Sequence, residues 1–224
     1  MANRFDSRPV AVGIDVARVR DDTVVTVFEI PSLVENVDPN VIDPKTGKPA
    51  TFVRSKGKVR AWLQLTGDNT VEQSQKIKHF LSHFGQVQHG LIDTIGVGAG
   101  LYDNLITDLR DGFGPLKYME PDQTKGPQLL DEWLSLRQAI LDQRFEYPGD
   151  DIPERHEFER QFSDMIKVPA GDGLKFDHPR REGAKNDYCV SLRLAMKAAG
   201  CLYSDVDWEG LDNGFGIDSV AIKR

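Results

Sequence analysis

Val10-Ala11-Val12-Gly13-Ile14-Asp15 reads as a buried strand that ends in a carboxylate. An unbroken run of apolar and small residues marks a strand covered on both faces. A polar stretch, Arg18-Val19-Arg20-Asp21-Asp22, separates it from a β-branched run, Thr23-Val24-Val25-Thr26-Val27-Phe28-Glu29-Ile30. Two strands with a short polar connection predict a hairpin. Val59-Arg60-Ala61-Trp62-Leu63-Gln64-Leu65 adds a third strand and closes an antiparallel set. Between them, residues 31–58 hold Pro31, Pro39, Pro44 and Pro49 with no clear periodicity. They form a long excursion, either an extended hairpin tip or a mobile loop, and loops of this length are usually functional or disordered.

Past residue 66 the pattern changes to helix. Thr70-Val71-Glu72-Gln73 has the form of a capping box, with Thr70 as N-cap and Gln73 reaching back. Val71, Ile77, Phe80, Leu81 and Phe84 share a helical face, and Gly85 is the stop. Gly90-Leu91-Ile92-Asp93 is a short strand that also ends in a carboxylate, followed by a glycine-rich turn and a helix over Leu101–Leu109. Leu116-Lys117-Tyr118-Met119 reads as a strand, and Pro127 with Leu130, Trp133, Leu134 and Ile140 predicts a third helix. Residues 144–180 are a variable segment, with a short helix over Phe158–Met165 and a small hairpin around Gly171-Asp172-Gly173. The last element is a helix from Asp187 to Ala199, ended by Gly200. Three antiparallel strands followed by helix, strand, helix, strand, helix give an α/β sheet of mixed direction flanked by helices. That is the element order of ribonuclease H-like domains, here as a single domain across residues 1–224.

Composition sets the outer limits. The chain has 224 residues, 39% hydrophobic and 28% charged, which is ordinary for a globular domain. No apolar run approaches the roughly 20 residues that span a bilayer, and Met1–Asp6 has no secretory core. Cys189 and Cys201 have neither metal-site spacing nor the look of a disulfide framework, which fits a reducing cytoplasm. A net charge of −7, from 35 acids and 28 bases, argues against a protein that coats nucleic acid by bulk charge. It leaves room for an enzyme that meets nucleic acid at a local basic groove around a metal-loaded acidic site.

Three acids stand at element ends: Asp15 closes the first strand, Asp93 the fourth, and Asp187 opens the last helix. If the first and fourth strands are neighbours, Asp15 and Asp93 lie side by side and repel, and a divalent cation relieves that repulsion. Hard oxygen donors suit Mg²⁺ or Mn²⁺. Two such ions about 3.5–4 Å apart activate a water and stabilise the leaving oxygen of a phosphodiester. Each acid also has a plainer role: Asp15 and Asp93 in turns, Asp187 as a favourable charge at a helix N-terminus. The combination, within this element order, favours chemistry.

Gly96-Val97-Gly98-Ala99-Gly100 follows a strand and precedes a helix, but Leu101 replaces the last glycine of a dinucleotide fingerprint. A tight turn that lets the helix pack close is the better reading. No phosphate-binding P-loop exists: around Gly47-Lys48, Ile42 and Pro49 occupy the required Gly and Ser/Thr positions. Arg54, Lys56, Lys58 and Arg60 alternate, as a phosphate-tracking stripe or as a charge-protected edge strand would. Arg180, Arg181 and Lys185 precede Asp187 and are candidates to steer a phosphate backbone toward it. Trp62, Trp133 and Trp208 read as packing residues, and His156 and His178 stand alone.

Gly13-Ile14-Asp15-Val16-Ala17 with Asp22-Thr23-Val24-Val25 resembles the first nuclease motif of tailed-phage large terminases. Ile92-Asp93-Thr94-Ile95-Gly96-Val97-Gly98-Ala99-Gly100-Leu101-Tyr102-Asp103-Asn104-Leu105 is similar to their second motif, and Lys185-Asn186-Asp187-Tyr188-Cys189-Val190-Ser191-Leu192-Arg193-Leu194-Ala195 to their third. The likeness runs from about Pro9 to Ala199. It implies a ribonuclease H-like nuclease domain that hydrolyses concatemeric double-stranded viral DNA during genome packaging, in the host-cell cytoplasm. It implies Asp15, Asp93 and Asp187 as catalytic acids holding two Mg²⁺ or Mn²⁺ ions. Its implied partners are DNA, a packaging ATPase domain, a small terminase and a portal; the lack of an apolar span speaks against a membrane, and a monomer is the default expectation for a detached nuclease domain. Full-length terminases carry an N-terminal ATPase that is not in this sequence, as in an excised or separately encoded nuclease domain. Cys189, Val190 and Ser191 fill the zone where the family often has a further acid or a pair of small residues, which leaves Asp22 as candidate fourth ligand. Two other readings share the fold: an actin-like or sugar-kinase-like phosphotransferase, and an inactive module that docks DNA or a portal. Arg18, Val19 and Arg20 fill the turn where the first needs glycines. The survival of all three acids speaks against the second.

Overall fold

The computed structural model describes residues 8–16, 22–35, 40, 42, 48, 52–84, 87–94, 98–110, 118–149, 151–170, 173–177 and 185–202. Its main sheet has six strands: β1 (Val10–Asp15), β2 (Thr23–Glu29), β5 (Gly57–Leu65), β6 (Val87–Asp93), β7 (Met119–Asp122) and β8 (Phe145–Glu146). Their spatial order is β7-β6-β1-β2-β5-β8. β1, β2 and β5 are antiparallel neighbours, β6 and β7 run parallel to β1, and β8 runs parallel to β5. This is the mixed α/β sheet that the element order predicts.

The period-2 geometry of β1 sorts its side chains. Val10, Val12 and Ile14 join Val25 and Val27 in a core closed by Ile77 and Leu81 of α1 (Thr70–Leu81) and Leu101 and Leu105 of α2 (Gly98–Arg110). The opposite face packs against α3 (Gly126–Leu141), α4 (Pro153–Asp164) and α5 (Asp187–Ala198). There Phe28, Val59 and Trp62 meet Trp133, Leu136, Phe158, Tyr188 and Leu192. Each fully buried Ile, Leu or Phe in these layers contributes about 1.5–3 kcal/mol.

α5 lies directly on β1. A Cβ at Gly13 would stand 2.0 Å from the Ser191 carbonyl oxygen and 2.3 Å from the Ala195 nitrogen, so only glycine permits this approach. The Thr26 and Ser191 hydroxyls are hydrogen-bonded at 2.8 Å and tie the same helix to β2. His89, low on β6, meets the Ala198 carbonyl at 3.1 Å, so α5 runs down the sheet from its N-terminus at the Asp15 end. Gly200, with φ +67°, ends it.

Several boundaries differ from the sequence reading. The N-cap of α1 is Asn69, whose side chain accepts from Val71 and Glu72 while Glu72 reaches back. Both Asn69-x-x-Glu72 and Thr70-x-x-Gln73 match the capping box, and Gln73 is instead buried against Thr23 at 2.9 Å. Val71 is exposed, and α1 ends at Leu81, before Gly85, which lies outside the described residues. β7 begins at Met119, where residues 116–119 were expected. The excursion starts and finishes as a paired arm, β3 (Leu33–Glu35) with β4 (Phe52–Arg54). In the variable segment α4 starts at Pro153, five residues before the expected helix, and β9 (Ile166–Ala170) pairs with β10 (Gly173–Asp177).

Candidate active site

Asp15 and Asp93 end adjacent parallel strands. The β1–β6 register runs to Ile14 opposite Ile92, and each acid stands one residue further on. Neighbouring strands are about 4.8 Å apart. Ile14 and Ile92 both face the α1–α2 core, so Asp15 and Asp93 face the α5 side. Asp187 occupies the first turn of α5 at this same end, is buried, and gains from the positive helix N-terminus. Burial pushes the Cys189 thiol well above its ordinary value, and the charges of Asp187, Glu157 and Asp15 add to the shift.

A cleft of ≈ 190 Å³ opens here, with Asp93, Asp122, Asp177, Asn186 and Arg193 in its wall. Asn186 is the N-cap of α5 but makes no side-chain capping bond. Asp122 and Asp177 were not singled out in the sequence. Asp177 ends β10, and α3 packs against that strand. Asp122 is the register partner of Asp93. It is buried and meets Lys197 Nζ at 2.6 Å, Arg193 at 3.2 Å and the Thr124 hydroxyl at 2.8 Å. Arg193 also pairs with the buried Glu132, and Lys197 lies 2.8 Å from the same carboxylate. Asp122 is thus one member of a buried charge network beneath the cleft.

Of the remaining predicted site residues, Asp22 and Lys185 lie at this same end of the sheet but bond each other, and the basic stripe is remote from it. Asp22 sits at the entry to β2 with its oxygens accepting from Gln64 at 2.7 Å, from Thr66 and from Lys185. Burial works to raise its pKa, but these hydrogen bonds and the Lys185 charge outweigh it and hold the carboxyl low. The structure therefore pairs Asp22 with Lys185, where the sequence reading made one a metal ligand and the other a phosphate contact. Lys58 is the register partner of Glu29, and Arg60 donates to Glu29 at 2.7 Å. That level is six residues from Gln64, which pairs with Val24 opposite Asp15. Six strand residues span about 20 Å, so Lys58 is at the far end of the sheet from the acids, and Lys56 lines a separate cavity of ≈ 350 Å³ with Phe28 and Arg144. Arg54 lies on β4. Arg180, Arg181 and the Arg18–Arg20 turn lie outside the described residues. Gly98 behaves as the tight-turn reading expects: a Cβ there would stand 2.0 Å from the Asp93 carbonyl oxygen.

Among the described residues, no three His, Cys, Asp or Glu side chains form a ready-made cluster for an ion. The donors at this edge are nonetheless all hard oxygens, which fit Mg²⁺ or Mn²⁺. Mg²⁺ in particular is bound through one or two carboxylates plus waters and substrate phosphates, not through an all-protein cage.

No protein-family model and no curated protein matches the sequence. Among solved structures, the large terminase nuclease from thermophilic phage G20c with bound magnesium matches with a TM-score of 0.56 at 16% identity. The match covers 84% of this chain and 80% of that one. The fold is that of a large-terminase nuclease. The cobalt-bound G20c structure gives the same TM-score and identity, over the same shares of both chains. The nuclease domain of the large terminase g2p from bacteriophage SPP1, with bound Mn, has a TM-score of 0.44 at 14% identity, over 87% of each chain. Among the described residues, no helix is long and apolar enough to cross a membrane.

Proposed function

We propose that this chain is a divalent-metal-dependent endonuclease that cuts double-stranded DNA, with Asp15, Asp93 and Asp187 as the ligands of two Mg²⁺ or Mn²⁺ ions. The observation that carries this reading is the meeting of two strand ends and a helix start. Asp15 and Asp93 follow a register pair on parallel strands, on the face that α5 covers with Asp187 at the same end. Metal bound there would lower the pKa of a water and stabilise the leaving oxygen of the scissile phosphodiester. The chain's own residues supply placement. Gly13 lets α5 pack directly on β1, which in this reading carries Asp187 toward the strand ends. Asn186 and Asp177 line the approach from the cleft. By likeness to the phage nucleases, the substrate is concatemeric viral DNA, cut in the host-cell cytoplasm during packaging. The same likeness supplies the partners: a packaging ATPase domain, a small terminase and a portal.

The test is incubation with supercoiled plasmid in Mg²⁺, Mn²⁺ or chelator. Nicked and linear products in metal alone support the proposal. Product in chelator, or none with either ion, overturns it.

A further inference from the structure

The geometry points to Asp22 as a positioning residue that, through Lys185, fixes the N-terminus of α5 and therefore Asp187 above the ends of β1 and β6. Its functional part rests on the nuclease reading above.

The first turn of a helix leaves backbone N–H groups without intrahelical partners, and an N-cap side chain usually serves them. Asn186 makes no such bond. Distant tethers hold the turn instead. Tyr188 N–H donates to Gln161 Oε1 of α4 at 2.9 Å. The Tyr188 hydroxyl donates to Gln64 Oε1 of β5 at 3.0 Å. Gln64 Nε2 donates to Asp22 Oδ2 at 2.7 Å, and Lys185 Nζ donates to that same oxygen. Thus Lys185, two residues before Asp187, and Tyr188, one after it, both end on the Asp22–Gln64 pair of the sheet. Asp22 is 6% exposed and Thr66 takes its other oxygen. Three donors fill most of the acceptor sites of this buried carboxylate, and the Lys185 ammonium already balances its charge, so its bonding is spent on the tether.

The test uses Asp22→Asn, Lys185→Met, the double variant and Lys185→Arg. Displacing a reacting group by about 1 Å costs up to about a hundredfold in rate, so each of the first two variants should lower kcat on plasmid by about tenfold or more. KM for DNA and the Mn²⁺ half-saturation should stay within about twofold, and the double variant should match either single one, as coupled residues do. Lys185→Arg should restore most of the rate. Amide exchange in metal-free protein gives a readout independent of cleavage: the 186–191 turn should exchange faster in both single variants while α1 is unchanged. A raised Mn²⁺ requirement in Asp22→Asn alone would make Asp22 a ligand and overturn the proposal. A raised KM in Lys185→Met alone would make Lys185 a phosphate contact and do the same. If the wild-type protein cuts nothing, the nuclease reading fails by itself. The exchange arm then decides the tether, and unchanged exchange in both single variants overturns it.

Discussion

Asp93 and Asp122 are register partners across the parallel β6–β7 ladder, and Asp122 is locked between Arg193 and Lys197. In the proposed reading, two carboxylates at one level of the sheet have different tasks. Asp93→Asn should abolish cleavage and leave the melting curve close to wild type. Asp122→Asn should instead lower stability by about 3 kcal/mol, because it leaves buried cations under-compensated. Urea unfolding and plasmid cleavage of both variants check this, and the reverse pattern would exchange the two roles.

The same network predicts an acid dependence. Burial pushes the Asp122 carboxyl up, but the hydrogen bond from Lys197 and the charge of Arg193 outweigh it and hold it below its ordinary 3.8. A carboxyl depressed by folding binds fewer protons in the native state than in the unfolded one. Its stabilisation is full above its unfolded pKa and is lost as pH falls through the folded value. Stability should therefore drop below about pH 4, and Asp122→Asn should show a shallower drop. Equal acid slopes in the two proteins would remove Asp122 as a cause.

Gly13→Ala places a methyl 2.0 Å from the Ser191 carbonyl oxygen and 2.3 Å from the Ala195 nitrogen. Both are backbone atoms, so α5 must move off β1. Overpacking of this kind costs about 1–3 kcal/mol or more. The variant should melt lower and, because Asp187 moves with α5, lose activity out of proportion to the stability loss at temperatures where it stays folded. A wild-type melt would mean that the helix does not sit this close.

Lys58 is at the end of the sheet remote from Asp15, so Lys58→Gln should leave kcat unchanged. Any effect should be a modest rise in KM that fades with added salt, as expected of a screened surface charge. A large fall in kcat, measured at saturating DNA, would bring the stripe back to the reaction centre.

Local rules made much of this fold legible. The β-branched run of β2 and the apolar run of β1 mark buried strands, and Asp15, Asp93 and Asp187 stand at element ends in the sequence itself. What stayed hidden was long-range or short. The Asp22–Lys185 pair joins residues 163 apart, and no local pattern announces it. β8 has only two residues and no periodicity to read, and Pro121 hid the extent of β7, though not the presence of a strand near Met119. The charge stripe Lys56–Lys58–Arg60 was visible as alternation, but which end of the sheet it occupied depended on strand direction.

The most direct measurement is a Mn²⁺ titration followed by the loss of the free-ion electron-spin signal, in wild type and in Asp15→Asn, Asp93→Asn and Asp187→Asn. Saturable binding in the wild type that each substitution weakens, while Lys58→Gln leaves it intact, is the predicted result. Binding in all three aspartate variants that matches wild type would contradict the claim that these acids jointly hold the ions.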